Sequence, residues 1–246
     1  MAVITISREF GSDGDIISEK VARSLKYSFI DKDIIEKVLV QYGMVTFNTV
    51  YNSENSIWDR LDQGKAEMIM MLNQTIQAFA RQDNSIIVGR GGFIVLKDFE
   101  NVLHVYINAP FESRVKNVMK ARGIVARGEA EAIVSKNDHI RKSFLQTFYN
   151  VKHMETDSFS LSINTDQIPA DFACKWILEA AENLDRKIID TKSAAASIEV
   201  NSVLRISKNF HDQPKDFRDS YDYPYVAGKE LLRREQFSYE SIHITD

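Results

Sequence analysis

An α/β fold on a parallel sheet is predicted by two features of this sequence. Val3 to Ile6, Ile86 to Val88 and Val102 to Ile107 are apolar on nearly every residue. Such runs suit strands covered on both faces. Amphipathic helical stripes separate them, so strand and helix alternate through residues 1–185, the pattern of a βαβ succession.

Each element has its own signal. After the first run, Ile17, Val21 and Leu25 recur at helical spacing. A short strand is predicted over Tyr27 to Ile30, and Ile34, Ile35, Val38 and Leu39 form the next stripe. Trp58 to Ala80 reads as one long helix whose Met68 to Leu72 block belongs to the core, where methionine fills irregular gaps. Pro110 opens a helix after the strand ending at Ile107, since proline is tolerated in a first turn. Phe159 to Asn164 alternates apolar and polar residues and is expected nearer a sheet edge. Cys174, the one cysteine, sits in the apolar pattern of Phe172, Ala173, Trp176 and Ile177, as a buried small hydrophobe would.

Beyond about Leu184 the alternation stops. Residues 186–246 hold a possible strand at Ile198 to Ile206, a polar aromatic stretch at Asn209 to Tyr225 and a helical pattern at Gly228 to Gln236. Ten Lys/Arg balance ten Asp/Glu there, so this is an accessory extension and no polyelectrolyte arm. The 246-residue chain is 44% hydrophobic and 27% charged, with a net charge of −4. That balance argues against a general nucleic-acid binder. With no basic region before a leader-length apolar run and no stretch of ~18 apolar residues, a cytoplasmic chain without membrane attachment is expected. An oligomer is possible but nothing indicates one.

Arg8-Glu9-Phe10-Gly11-Ser12-Asp13-Gly14-Asp15 lies between the first strand and the first helix. A strand, a glycine-containing loop and a helix N-terminus cradle phosphate through backbone N–H groups and the helix dipole. The same spacing also suits a plain βα turn capped by Ser12 or Asp13. The strict pattern G-x-x-x-x-G-K-[ST] is absent; Gly64-Lys65 and Gly228-Lys229 lack its first glycine and its hydroxyl.

Ile4-Thr5-Ile6-Ser7-Arg8-Glu9-Phe10-Gly11-Ser12-Asp13-Gly14-Asp15 resembles the opening of the cytidylate kinase-like family, which reads I-S-R-E-F-G-S-G-G-R. The likeness continues in order through Phe29 to Ile35, Ile86 to Gly91, Val102 to Pro110 and Leu161 to Thr165. It implies a three-layer P-loop fold with a helical acceptor-binding insertion around 40–82 and a helical lid around 122–152. Asp13 stands where that family has a loop glycine, and Asp15 where it has arginine.

The implied activity is ATP-dependent phosphoryl transfer to a nucleoside monophosphate, cytidylate-like, or to a similar small acceptor. The alternative is a non-catalytic nucleotide-binding or protein-interaction scaffold derived from such a kinase. On the first reading Arg8, Gly11, Ser12, Asp13, Gly14 and Asp15 meet the donor phosphates, with ATP and Mg²⁺ as cofactors. No metal ligand is assigned; Ser12 and Ser18 are the nearby hydroxyls. Arg90, after the second long strand, resembles the arginine that forks onto an acceptor phosphate. The aspartate that usually follows it is Gly91 here. Asp31 lies at the acceptor mouth on this resemblance, and equally suits a helix cap. Asp138-His139-Ile140-Arg141 is similar to a lid D-x-x-R, which makes Asp138 a substrate-side residue. Arg122 and Arg141 are then the catalytic cations that meet charge on the transferring group.

Overall fold

The computed structural model describes residues 2–44, 62–152 and 154–187. Within them five parallel strands run in the order β2-β3-β1-β4-β5. They are β1 (Val3–Arg8), β2 (Ser28–Ile30), β3 (Ser85–Val88), β4 (Val102–Asn108) and β5 (Leu161–Asn164). The alternating run predicted at an edge is the edge strand β5. The central strand β1 extends past the apolar run ending at Ile6, because pairing with β4 continues at Ser7–Tyr106 and Arg8–Ile107.

Seven helices connect the strands among the described residues. They are α1 (Gly14–Leu25), α2 (Lys32–Gln41), α3 (Asp62–Ala80), α4 (Gly92–Val95), α5 (Phe111–Arg122), α6 (Arg127–Tyr149) and α7 (Ala170–Lys187). Strand side chains alternate between faces, and this builds three layers. Ile4 and Ile6 of β1 pack with Val105 and Ile107 of β4 against Ile17 and Val21 of α1 and Ala173 and Ile177 of α7. Val3, Ile87 and Val102 face the other way, onto Ile35 and Leu39 of α2, Leu72 and Phe79 of α3 and Phe144 and Phe148 of α6. Met68, Leu72 and Cys174 are buried as expected, but Met70, within the block expected in the core, is 51% exposed.

One further expectation needs correction. Neither Ser12 nor Asp13 caps α1 through its side chain; Asp13 is the N-cap residue, but in the left-handed region at φ 58°. α5 ends at Arg122, where Gly123 terminates it at φ 64°, and the stretch expected as a helical lid holds one helix, α6, from Arg127. The helix expected from Trp58 is described from Asp62 onward. The rest of the insertion over 45–61, and the strand and helix expected within the extension, lie outside the described residues, as does Gly228-Lys229.

Among the described residues no helix is long and apolar enough to cross a membrane.

Candidate active site

The order of the parallel strands switches sides at β1, whose neighbours β3 and β4 lie on opposite edges of it. In an open parallel sheet the crevice beyond the carboxyl ends at such a point is where ligands bind. The 9–13 loop leaves β1 here and feeds the first turn of α1, whose backbone N–H groups lack intrahelical partners.

Arg8 closes this loop. Its Nε donates to Asp15 Oδ1 at 2.8 Å, with the two side chains only 12% and 15% exposed. A Cβ on Gly14 would meet the Arg8 Cβ at 2.6 Å, and one on Gly89 would meet Arg8 Nη1 at the same distance. The arginine therefore lies across the phosphate loop from α1 to the loop after β3, and two glycines make room for it. Gly11 at φ 80° is packed under α5, where a Cβ would stand 2.8 Å from the Arg114 carbonyl oxygen.

The loop hydroxyls are both engaged. Ser12 Oγ donates to the carbonyl oxygens of Glu9 at 2.8 Å and Ile107 at 3.2 Å, and Ser18 Oγ donates to Gly14 O at 2.6 Å. Both serines are fully buried. The nearby carboxylates are Asp13 and Asp15. Burial pushes the Asp13 carboxyl above its ordinary value; Lys120 opposes that rise and Asp15 adds to it. No cluster of three or more His, Cys, Asp or Glu that could hold a metal occurs among the described residues. Magnesium would arrive on the nucleotide's own phosphates and supply charge neutralisation there, with Asp13 the carboxylate not committed to Arg8.

Phe10 joins loop to lid. It is fully buried among Val115 and Val118 of α5 and Ala130 and Val134 of α6. The guanidinium groups of Arg122 and Arg141 each lie 5.5 Å from its ring centroid. The two arginines predicted as catalytic are therefore gathered on one loop aromatic. The i, i+3 spacing on α6 turns Asp138 and Arg141 to the same side. Both carboxylate oxygens of Asp138 accept from Arg114 Nη1, at 2.9 and 2.8 Å. Arg114 Nε also meets Glu9 Oε2 at 3.3 Å. Glu9 in turn accepts from the Tyr106 hydroxyl and the Ala109 N–H.

The acceptor side differs from its sequence expectation. Arg90 is brought to the carboxyl end of β3, but its side chain is 3% exposed and Nη2 donates to Glu36 Oε1 at 2.5 Å. Burial raises the Glu36 carboxyl and Arg90 opposes that rise. Asp31 caps α2, accepting from the N–H groups of Asp33 and Ile34 at 3.1 Å. Gly89, Arg90 and Gly91 all have positive φ, at 76°, 53° and 76°. A Cβ on Gly91 would stand 2.4 Å from the Tyr149 ring, whose hydroxyl donates to Asn73 Oδ1 at 2.9 Å. Where the resemblance has an aspartate side chain, this chain has the ring of Tyr149.

Sequence reasoning missed Glu36 and Tyr149, which carry no local signal, and gave Glu9 and Phe10 no role although both stand in the resembling block. A cleft of about 420 Å³ opens beside the loop, lined by Arg8, Glu9, Tyr106, Asp138, Arg141, Lys142, Leu145, Val151, Lys152 and Met154.

Sheet order, strand–loop–helix connection and helical lid define an α/β protein of the P-loop kinase class. The cytidylate kinase-like family matches residues 3–167, and the chain belongs to that family. No curated protein matches. Among solved structures, an uncharacterised protein from Eubacterium ventriosum is similar at 21% identity and TM-score 0.58, over 74% of this chain and 99% of that one. Shikimate kinase from Acinetobacter baumannii, in complex with shikimate, aligns at 16% identity and TM-score 0.41, over 76% and 96%. A gluconokinase from Sinorhizobium meliloti aligns at 13% identity and TM-score 0.44, over 76% and 97%.

Proposed function

We propose that this protein transfers the γ-phosphoryl group of ATP to a small acceptor, with nucleoside monophosphates, cytidylate first, as the leading class. The observation that carries this is the gathering of Arg122 and Arg141 on Phe10 of the phosphate loop, with Arg141 also donating to the Arg8 carbonyl oxygen. Phosphoryl transfer needs positioning and charge neutralisation more than covalent chemistry. On this reading the loop from Gly11 to Gly14 presents N–H groups to the donor phosphates, and Arg8 and Arg141 face the charge that develops on the equatorial oxygens. Arg122 supports the lid through Phe10, and Asp138 with Arg114 fixes the lid over the loop. Family membership and fold support kinase chemistry in general; the acceptor class is our inference. Incubating the full chain with MgATP and each nucleoside monophosphate, and following ADP and product by phosphorus NMR, tests it. Acceptor-dependent ADP formation is expected, and its absence with every monophosphate removes the nucleotide acceptor.

The Arg8–Asp15 pair favours a second reading, a nucleotide-binding scaffold without turnover. An ion pair already satisfied across the loop competes with phosphate for the same guanidinium. On that reading MgATP binds and raises the unfolding temperature, by ~2.7 kcal/mol of stabilisation at a hundredfold excess over Kd, while no acceptor promotes hydrolysis.

A further inference from the structure

The cleft beside the phosphate loop has a composition that the loop itself does not explain. Arg8 and Glu9, at the end of β1, and Tyr106, near the carboxyl end of β4, lie on its sheet side; α6 and the segment after it form the opposite side. Its two acids, Glu9 and Asp138, share the single guanidinium of Arg114. Arg8 has Asp15. Lys142 and Lys152 join Arg8 and Arg141 in the lining, four cations against those two carboxylates, so the cleft is cationic. Leu145, Val151 and Met154, with Tyr106, give it apolar area as well. A volume of about 420 Å³ suits a small organic molecule. Arg90, the expected acceptor anchor, is held by Glu36 at 3% exposure and lies outside this lining.

We propose that this cleft is the acceptor site, and that it takes a small organic anion. The phosphate or carboxylate of that anion meets Lys142 and Lys152, and its apolar body rests on Tyr106, Leu145 and Met154. This rests on the phosphoryl-transfer reading, because a group bound here lies next to the donor loop. Arg90 is then a positioning residue: with Glu36 it fixes the loop after β3, against which Arg8 packs.

Calorimetry with phenyl phosphate, benzoate and inorganic phosphate on the full chain tests the site. Saturable binding of phenyl phosphate is expected, weakened at least tenfold in the Lys142→Ala/Lys152→Ala double variant and less than threefold in Arg90→Lys. Benzoate binding as tightly as phenyl phosphate supports the site and assigns it to carboxylates; weaker benzoate binding supports it and assigns it to phosphomonoesters. Inorganic phosphate binding as tightly as phenyl phosphate overturns the apolar half of the proposal. No saturable binding, or no loss in the double variant, overturns all of it. MgATP affinity of the wild-type chain, measured alongside, tests the donor reading separately.

Discussion

Arg141 Nη1 donates to the Arg8 carbonyl oxygen at 2.8 Å, so a lid side chain closes directly on the backbone where β1 enters the phosphate loop. The contact spans 133 positions of sequence and fixes the lid arginine without using its whole fork. Replacing Arg141 by alanine is expected to lower turnover about 100-fold, the usual scale for one lost charge-stabilising donor. KM for ATP should move less. Lysine should recover only part, since it lacks the planar fork. Steady-state rates with unchanged turnover in Arg141→Ala would end its catalytic assignment.

Asp13→Gly is expected to stabilise the fold. Asp13 holds φ 58°, a region that costs most residues about 1 kcal/mol and glycine little. Its carboxyl is also raised by burial, so its ionised form opposes folding. A raised carboxyl binds more protons folded than unfolded, so the penalty appears above the ordinary carboxylate range and vanishes below it. The gain of Asp13→Gly in urea unfolding should therefore be about 1 kcal/mol or more at pH 7 and smaller at pH 3.

His104 gives the fold a pH dependence of its own. Burial lowers its pKa from 6.5 to about 4, and Nδ1 pairs with the Thr5 hydroxyl at 2.7 Å. A depressed histidine contributes its full stability above about pH 6.5. That contribution falls as pH drops toward 4, because the unfolded chain takes up the proton first. The loss should approach ~3 kcal/mol at ~1.36 kcal/mol per unit. Urea melts between pH 7 and pH 4 should show this slope, and His104→Gln should flatten it.

Gly91→Ala should cost about 2–4 kcal/mol, from backbone strain at positive φ and from the collision with Tyr149. Tyr149→Ala in the same chain should recover part of that loss, because the two residues share one space and their effects cannot add. A fully additive double variant in thermal unfolding would show that the ring is not the obstacle.

Ending the chain after Lys187 should leave one cooperative transition. The core packed on β1 and β4 draws its last buried side chain from Ala181, with Leu184 partly buried against it. The proposal that residues 186–246 are accessory predicts unfolding by circular dichroism as sharp as that of the full chain. A broad, noncooperative melt would make the extension part of the core.

The sheet was legible because a strand buried on both faces is apolar at nearly every residue, as Val3 to Ile6 and Ile86 to Val88 are. The helix stripes followed for the same reason. Strand ends were less legible: Ser7 and Arg8 pair with β4 through backbone groups, which side-chain patterning does not record. The candidate site divided in the same way. Arg8, Arg122 and Arg141 fall in stretches with a local pattern, and the fold gathers them. Glu36 meets Arg90 across 54 positions, and Tyr149 reaches Gly91 from the far end of α6. A partner chosen by tertiary packing leaves no mark in spacing. The Asp31 cap needed no tertiary information, and there the local alternative describes what the side chain does.

The burial of Phe10 bears on traffic through the site. Swinging α5 and α6 away from the loop would bring this ring into water, at a cost of about 1.5–3 kcal/mol for a fully buried aromatic. Boltzmann weighting at that cost leaves open chains outnumbered by roughly ten to more than a hundred to one. Entry and escape of nucleotide would then wait on rare excursions, so a smaller side chain at position 10 should quicken exchange even where it weakens grip.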